Sequence, residues 1–132
     1  PRTMSITTPG ISRKVITVGC SDDDREVLVG GNRMVDYSGR GPTAACICKP
    51  DLVAPGCSVV SCSSRADKYT IKSGTSMSTP IVSGAVALLL ERFPDMTNKD
   101  VKLRLRESSV DIGLPRNQQG WGLLDVGKMI GK

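Results

Sequence analysis

Gly74-Thr75-Ser76-Met77-Ser78-Thr79-Pro80-Ile81-Val82-Ser83-Gly84-Ala85-Val86-Ala87-Leu88-Leu89-Leu90 sets the architecture of this chain. Gly74 permits a sharp turn into whatever follows. A run of hydroxyl residues comes next, then Pro80, placed early enough to disrupt few internal hydrogen bonds. From Ile81 to Leu90 the run is apolar on almost every face. The pattern predicts a helix from Thr75 to about Phe93, and a helix without a polar face is a buried one. Ser78, Ser83, Gly84 and Ala85 are small and would let other backbone approach closely. Glu91, Arg92 and Pro94 return the chain to the surface. A membrane-spanning helix needs about 20 apolar residues. The run from Ile81 to Leu90 is too short and is broken by Ser83 and Gly84, so no membrane partner is expected.

Before this helix the chain is punctuated by Gly and Pro. Thr8-Pro9-Gly10 reads as a turn. Val15-Ile16-Thr17-Val18-Gly19 reads as a buried β-branched strand. Ser21 to Arg33 reads as a surface excursion or hairpin. Met34 to Tyr37, Asp51 to Ala54, Ser58 to Ser61 and Lys68 to Lys72 are further strand candidates. After the helix, Thr97-Asn98-Lys99-Asp100 resembles a capping box with Asp100 in the usual Glu position. It opens an amphipathic helix to about Glu107, with Val101, Leu105 and Leu103 expected inward. Ser108-Ser109 and Gly113-Leu114-Pro115 read as loop. Gly120 to Asp125 reads as a last extended piece, followed by a helical turn to Ile130. Strands then helices, with apolar runs that do not strictly alternate, suit an α/β layered domain.

The 132 residues are enough for one domain. Eighteen Lys+Arg against thirteen Asp+Glu give 18 − 13 = +5. Lys99, Lys102, Arg104 and Arg106 are interleaved with apolar residues, the pattern of a solvated helix face. With aromatic residues at 3% there is little to stack on bases, so no nucleic-acid partner is expected. The chain contains no histidine. No Ser-His-Asp triad, Cys-His dyad or His-ligated metal site can be built from these residues alone. The chain starts at Pro1 rather than Met and is expected to be part of a longer protein.

The five cysteines are Cys20, Cys46, Cys48, Cys57 and Cys62. An odd number leaves one over from any closed set of internal disulfides. The one-residue gap in Cys46-Ile47-Cys48 is shorter than the two to four residues of a usual zinc knuckle. The expectation is small, mostly reduced core thiols in a cytoplasmic protein, with a metal or a disulfide as the alternatives. Asp22, Asp23 and Asp24 raise a calcium site, but three consecutive carboxylates do not alternate as calcium-loop ligands do. A solvated turn is expected there, and no metal.

Ser76 falls in the first turn of the helix. Backbone N–H groups there lack intrahelical acceptors, and the helix dipole is positive. A hydroxyl so placed can attack a carbonyl while its own N–H faces the oxyanion that forms. The same residues also suit an ordinary Ser/Thr helix cap. From the residues alone both readings stand.

A resemblance separates them. Gly74-Thr75-Ser76-Met77-Ser78-Thr79-Pro80 resembles the nucleophile motif of the subtilisin-like serine peptidases. Tyr37-Ser38-Gly39-Arg40-Gly41-Pro42 is similar to that family's Phe-Ser-Ser-Arg-Gly-Pro segment. Lys49-Pro50-Asp51-Leu52-Val53-Ala54-Pro55-Gly56 is similar to its Lys-Pro-Asp-Val-Val-Ala-Pro-Gly strand and turn. Gly120-Trp121-Gly122-Leu123-Leu124-Asp125 resembles its Gly-x-Gly-Leu-Ile-Asn segment, and Pro9-Gly10 through Gly19 also agrees. The blocks occur in family order, and the last two triad members to be sought, Asp and His, come earlier in that order.

The resemblance implies the C-terminal part of a three-layer, parallel-sheet subtilisin-like domain over residues 1–132, with a buried helix after the nucleophile. It implies a serine endopeptidase acting on proteins or peptides, with no cofactor. Ser76 would be the nucleophile, and Gly10 and Thr75 would bind substrate. The imidazole, its carboxylate and the oxyanion Asn would come from a missing N-terminal half, and the chain alone would be inactive. Ile81 stands where the family often has His, a position that is not the catalytic base. Asp51 and Asp125 are expected to be structural. The alternative is a non-catalytic module of the same fold used for binding or regulation. A sheet cut in half would expose an open strand edge, so self-association is also expected.

Overall fold

Two short apolar runs lie side by side in the computed structural model, which describes residues 2–22, 33–34, 38–65 and 68–131. Strand β1 (Val18–Asp22) runs parallel to β3 (Leu52–Pro55), with Val18 opposite Leu52 and Ser21 opposite Pro55. Strand β2 (Arg33–Met34) pairs antiparallel with the end of β1, giving the order β2-β1-β3. Leu123 extends this sheet through a parallel bridge to Val53 and an antiparallel one to Val110. Strands β4 (Val59–Cys62) and β5 (Tyr69–Lys72) form a separate antiparallel pair.

Helix α1 (Thr75–Arg92) packs on β1 and β3. Ser78, Val82, Ala85 and Leu89 form its buried stripe, at spacings of three and four. Helix α4 (Val126–Ile130) packs against α1 and against α2 (Asn98–Ser108), and α3 (Arg116–Gln119) is a single turn between α2 and α4 in the chain. The core is Leu52, Ala54, Val82, Ala85, Leu89, Val101, Leu105 and Met129, with Phe93 and Trp121 packed against it. Leu52, Leu89 and Leu105 are fully buried, and each such burial is worth about 2 kcal/mol.

Helix α1 is buried along that one stripe only. Ser83, Gly84, Ala87 and Leu88 on the other side face solvent, because nothing among the described residues covers them. Strand β1 starts three residues later than the sequence pattern suggests. Lys49 and Asp51 explain this: the Asp51 carboxylate accepts the Thr17 N–H, and Lys49 Nζ donates to the Val15 carbonyl. Side chains thus satisfy the backbone that a strand ladder would otherwise have satisfied.

Leu103 is 52% exposed rather than inward. Val101 and Leu105 are four apart and share the inner face, which puts Leu103 on the opposite one. The capping box is present: Thr97 N–H donates to Asp100 Oδ2 at 2.8 Å, and Asp100 N–H donates to Thr97 Oγ1 at 3.3 Å. The Thr97 hydroxyl, then its N–H, hold the Asp100 carboxyl below the usual carboxylate range. Asp125 caps α4 by accepting the Lys128 N–H at 2.9 Å, a structural role as expected.

The basic group on α2 is partly used in packing. Arg104 stacks on Phe93, 5.2 Å from the ring centroid, and Lys102 donates to the Arg13 carbonyl at 2.8 Å. No disulfide joins the cysteines among the described residues, but only Cys20 is a core residue; Cys46, Cys48 and Cys62 are exposed and Cys57 is half-buried. Their place in loops and on a surface strand, away from the helix–sheet contact, overrides the composition-based expectation. Asp22 is buried at the end of β1 rather than in a solvated turn. Asp23, Asp24 and most of the proposed excursion and Met34–Tyr37 strand lie outside the described residues. Among the described residues no helix is long and apolar enough to cross a membrane.

Candidate active site

The turn that delivers Ser76 is built from two glycines. Gly74 takes φ 152° at the N-cap of α1 with no side-chain cap. Its N–H donates to Gly56 O at 2.8 Å, and its own carbonyl accepts from Met77 N–H at 2.9 Å. Ser76 is therefore not the capping residue. It is the second residue of the helix, where a backbone N–H has no intrahelical acceptor. Its side chain is exposed, and its hydroxyl makes no hydrogen bond among the described residues.

Two residues on, Ser78 does the opposite. It is fully buried, and its hydroxyl donates to the Ala54 carbonyl at 2.9 Å, bolting the first turn of α1 to β3. Gly56 lies beneath this bolt. A Cβ at Gly56 would collide with Ser78 Oγ, Cys20 Sγ and Gly74 O. Gly56→Ala is expected to push β3 and α1 apart and destabilise the chain by about 1–3 kcal/mol. A thermal melt followed by circular dichroism measures this, and an unchanged midpoint would show that the turn has slack the geometry denies.

Ser76 opens on a cleft of about 530 Å³. Thr75, Ser76 and Thr79 form one side, the segment from Ser5 to Gly10 another, and Val15 to Val18 with Gly39 the rest. No charged side chain lines it. The Thr17 hydroxyl donates to Gly10 O at 2.6 Å and pins the wall. A Cβ on Gly10 would press on Thr7 O at 3.0 Å and on Ile6 and Thr17 methyls at 3.2 Å. Ser38, from the Ser-Gly-Arg-Gly-Pro block, is buried and accepts the Cys20 N–H at 3.0 Å, fixing β1 beside the cleft.

The three residues singled out from sequence, Gly10, Thr75 and Ser76, thus line a single cleft. Ile6, Thr17 and Gly39 line it too and were not anticipated. The Thr8-Pro9-Gly10 turn was the signal for that wall, but its partners are set by tertiary contact. A second hollow of about 560 Å³, between the end of α1 and α2, holds no Ser, Thr or Cys. Among the described residues no group of three or more metal-ligating side chains comes together.

The chain belongs to the Subtilase family, whose model matches residues 1–122. It is 38% identical over 122 residues to the serine protease AprX of Bacillus subtilis, a match covering 83% of this chain and 28% of that protein. It is 31% identical to the halolysin-like extracellular serine protease Nep of Natrialba magadii, over 92% of this chain and 20% of Nep. The CspB protease of Clostridium perfringens superposes with a TM-score of 0.84 at 29% identity, over 97% of this chain and 28% of that one. The chain therefore spans less than a third of these relatives, and its α/β architecture is the subtilisin-like one.

Proposed function

We propose that this chain supplies the nucleophile and one substrate-binding wall of a subtilisin-like serine endopeptidase. The observation that carries this reading is the Ser76 hydroxyl, free at the first turn of α1 and opening on the cleft shared with Gly10 and Thr75. Ser76 Oγ attacks the peptide carbonyl. Its own N–H, at the positive end of the helix, donates to the developing oxyanion. An acyl-enzyme forms on Ser76, the amine departs with a proton, and water releases the acyl group. The uncharged cleft lining suits an uncharged side chain beside the scissile bond.

The proton acceptor is an imidazole held by a carboxylate, as in other triads of this order. The 132 residues contain no histidine, so the imidazole comes from outside them, and in the subtilisin chain order the carboxylate precedes that imidazole. In this reading the N-terminal part of the same domain covers the open face of α1 at Ser83, Gly84, Ala87 and Leu88. That face, left bare, is also where copies of the isolated chain would associate. The relative Nep is named as an extracellular protease. This favours a secreted parent, and the relatives lend no support to the cytoplasmic expectation.

A fluorophosphonate probe tests the reading. The isolated chain is expected to label slowly or not at all, because no base activates Ser76. The full-length protein is expected to label stoichiometrically at Ser76. Failure of the full-length protein to label there would leave the binding or regulatory module as the better account. Rapid labelling of the isolated chain would show that Ser76 needs no imidazole.

A further inference from the structure

Cys46 and Cys48 lie in the loop between Gly41 and Lys49 and do not line the cleft. Both are exposed, and Ile47 between them is half-buried. Both cysteine residues are therefore open to a small reagent, while the side chain between them is partly covered. The loop is held in that form. Thr43 is buried; its carbonyl accepts the Cys46 N–H at 2.9 Å, and its hydroxyl accepts the Ile47 N–H at 3.1 Å. Thr43 N–H in turn donates to Ile47 O at 2.9 Å. At the base, Gly41 N–H donates to Lys49 O at 2.8 Å. Cys46 itself has φ 56°, a left-handed conformation uncommon for a residue with a side chain. Cys48 Sγ donates to Arg116 O at 3.2 Å.

We propose that Cys46 and Cys48 form a reversible thiol–disulfide site whose co-substrate is a low-molecular-weight disulfide. Residues two apart are separated by at most about 7 Å between Cα atoms. A disulfide spans about 4.4–6.8 Å. A pair two residues apart therefore lies within or close to that span whatever the loop's conformation. One thiolate attacks the small disulfide, forms a mixed disulfide and expels one small thiolate. The second protein thiolate attacks the protein sulfur of that mixed disulfide and expels the other. The balance is two protein thiols plus one small disulfide giving one protein disulfide plus two small thiols, with the protons carried by the released thiols. Exposure and a small ring make such a bond labile, the property of a switch rather than a structural staple. Cys20 is fully buried and out of reach of the same reagent. The site is independent of the hydrolytic reading.

Intact mass after treatment with excess glutathione disulfide, followed by acid quench, tests the proposal. In the full chain carrying Cys57→Ser and Cys62→Ser, the expected product has lost two hydrogens, carries no glutathione and reverts with dithiothreitol. Adding Cys46→Ser or Cys48→Ser is expected to leave a stable glutathione adduct instead. The chain without the Cys57 and Cys62 substitutions serves as a second background. There too, Cys46→Ser should abolish the two-hydrogen loss. Unchanged mass, a lasting glutathione adduct on the intact pair, or a disulfide-linked dimer would each overturn the proposal.

Discussion

Ser76→Ala in the full-length protein is expected to lower peptidase turnover by roughly 10⁶-fold, the scale on which a triad loses function when its nucleophile goes. The fold should survive. Ser76 is exposed, its hydroxyl makes no hydrogen bond among the described residues, and Ala is the better helix former. Stability should stay within about 0.5 kcal/mol of the parent. Ser78→Ala, two residues along the same helix, is the matched control. It removes the buried hydrogen bond from Ser78 to the Ala54 carbonyl, at about 0.5–1.5 kcal/mol. The two serines should therefore separate cleanly, one in kcat on a chromogenic peptide and the other in the melting midpoint. Turnover of Ser76→Ala within tenfold of the parent would remove this residue from the reaction.

That separation is only half legible in the sequence. Gly74 before a run of hydroxyls announces a turn into a helix, and the apolar spacing from Val82 to Leu89 gives the buried stripe. Both follow from local rules that need no partner. Which hydroxyl points where does not, because it depends on β3 passing under the first turn and on Gly56 letting it pass so close. The Thr97 capping box is legible for the same reason α1 is: every atom in it lies within four residues. Helix α3 is not, since a single turn such as Arg116–Gln119 has no period to read. The exposed side of α1 marks a different limit. Its sequence is apolar enough to be covered, and composition records that without saying which chain does the covering. The cleft stands between these cases. Gly10 and Ser76 are far apart in sequence, and only the block resemblance linked them, whereas Thr17 and Ile6 carry no mark of their own.

Asp51→Ala is expected to be among the most destabilising single changes in the chain. The Asp51 carboxylate, expected from the resemblance to be structural, is spent on the fold. Oδ2 accepts from Lys49 Nζ at 2.7 Å and from Thr17 N–H at 2.8 Å, while Lys102 Nζ lies 3.7 Å from Oδ1. The Lys49 side chain is 1% exposed. With the carboxylate gone, its ammonium would be left with the Val15 carbonyl alone, 3.0 Å away. Breaking one side of a buried pair costs about 3–5 kcal/mol, because the surviving charge has lost both water and partner. A whole domain is typically stable by only about 5–15 kcal/mol. Urea titration should therefore show a large drop in midpoint. Lys49→Met combined with Asp51→Leu should recover only part of it, since the stranded charge is gone but the Thr17 N–H has lost its acceptor. A single-mutant loss below about 1 kcal/mol would mean that the pair behaves like a surface bridge. The consequence reaches the cleft, because Asp51 and Lys49 are what hold Thr17 and Val15 out of the strand and in the wall beside Ser76.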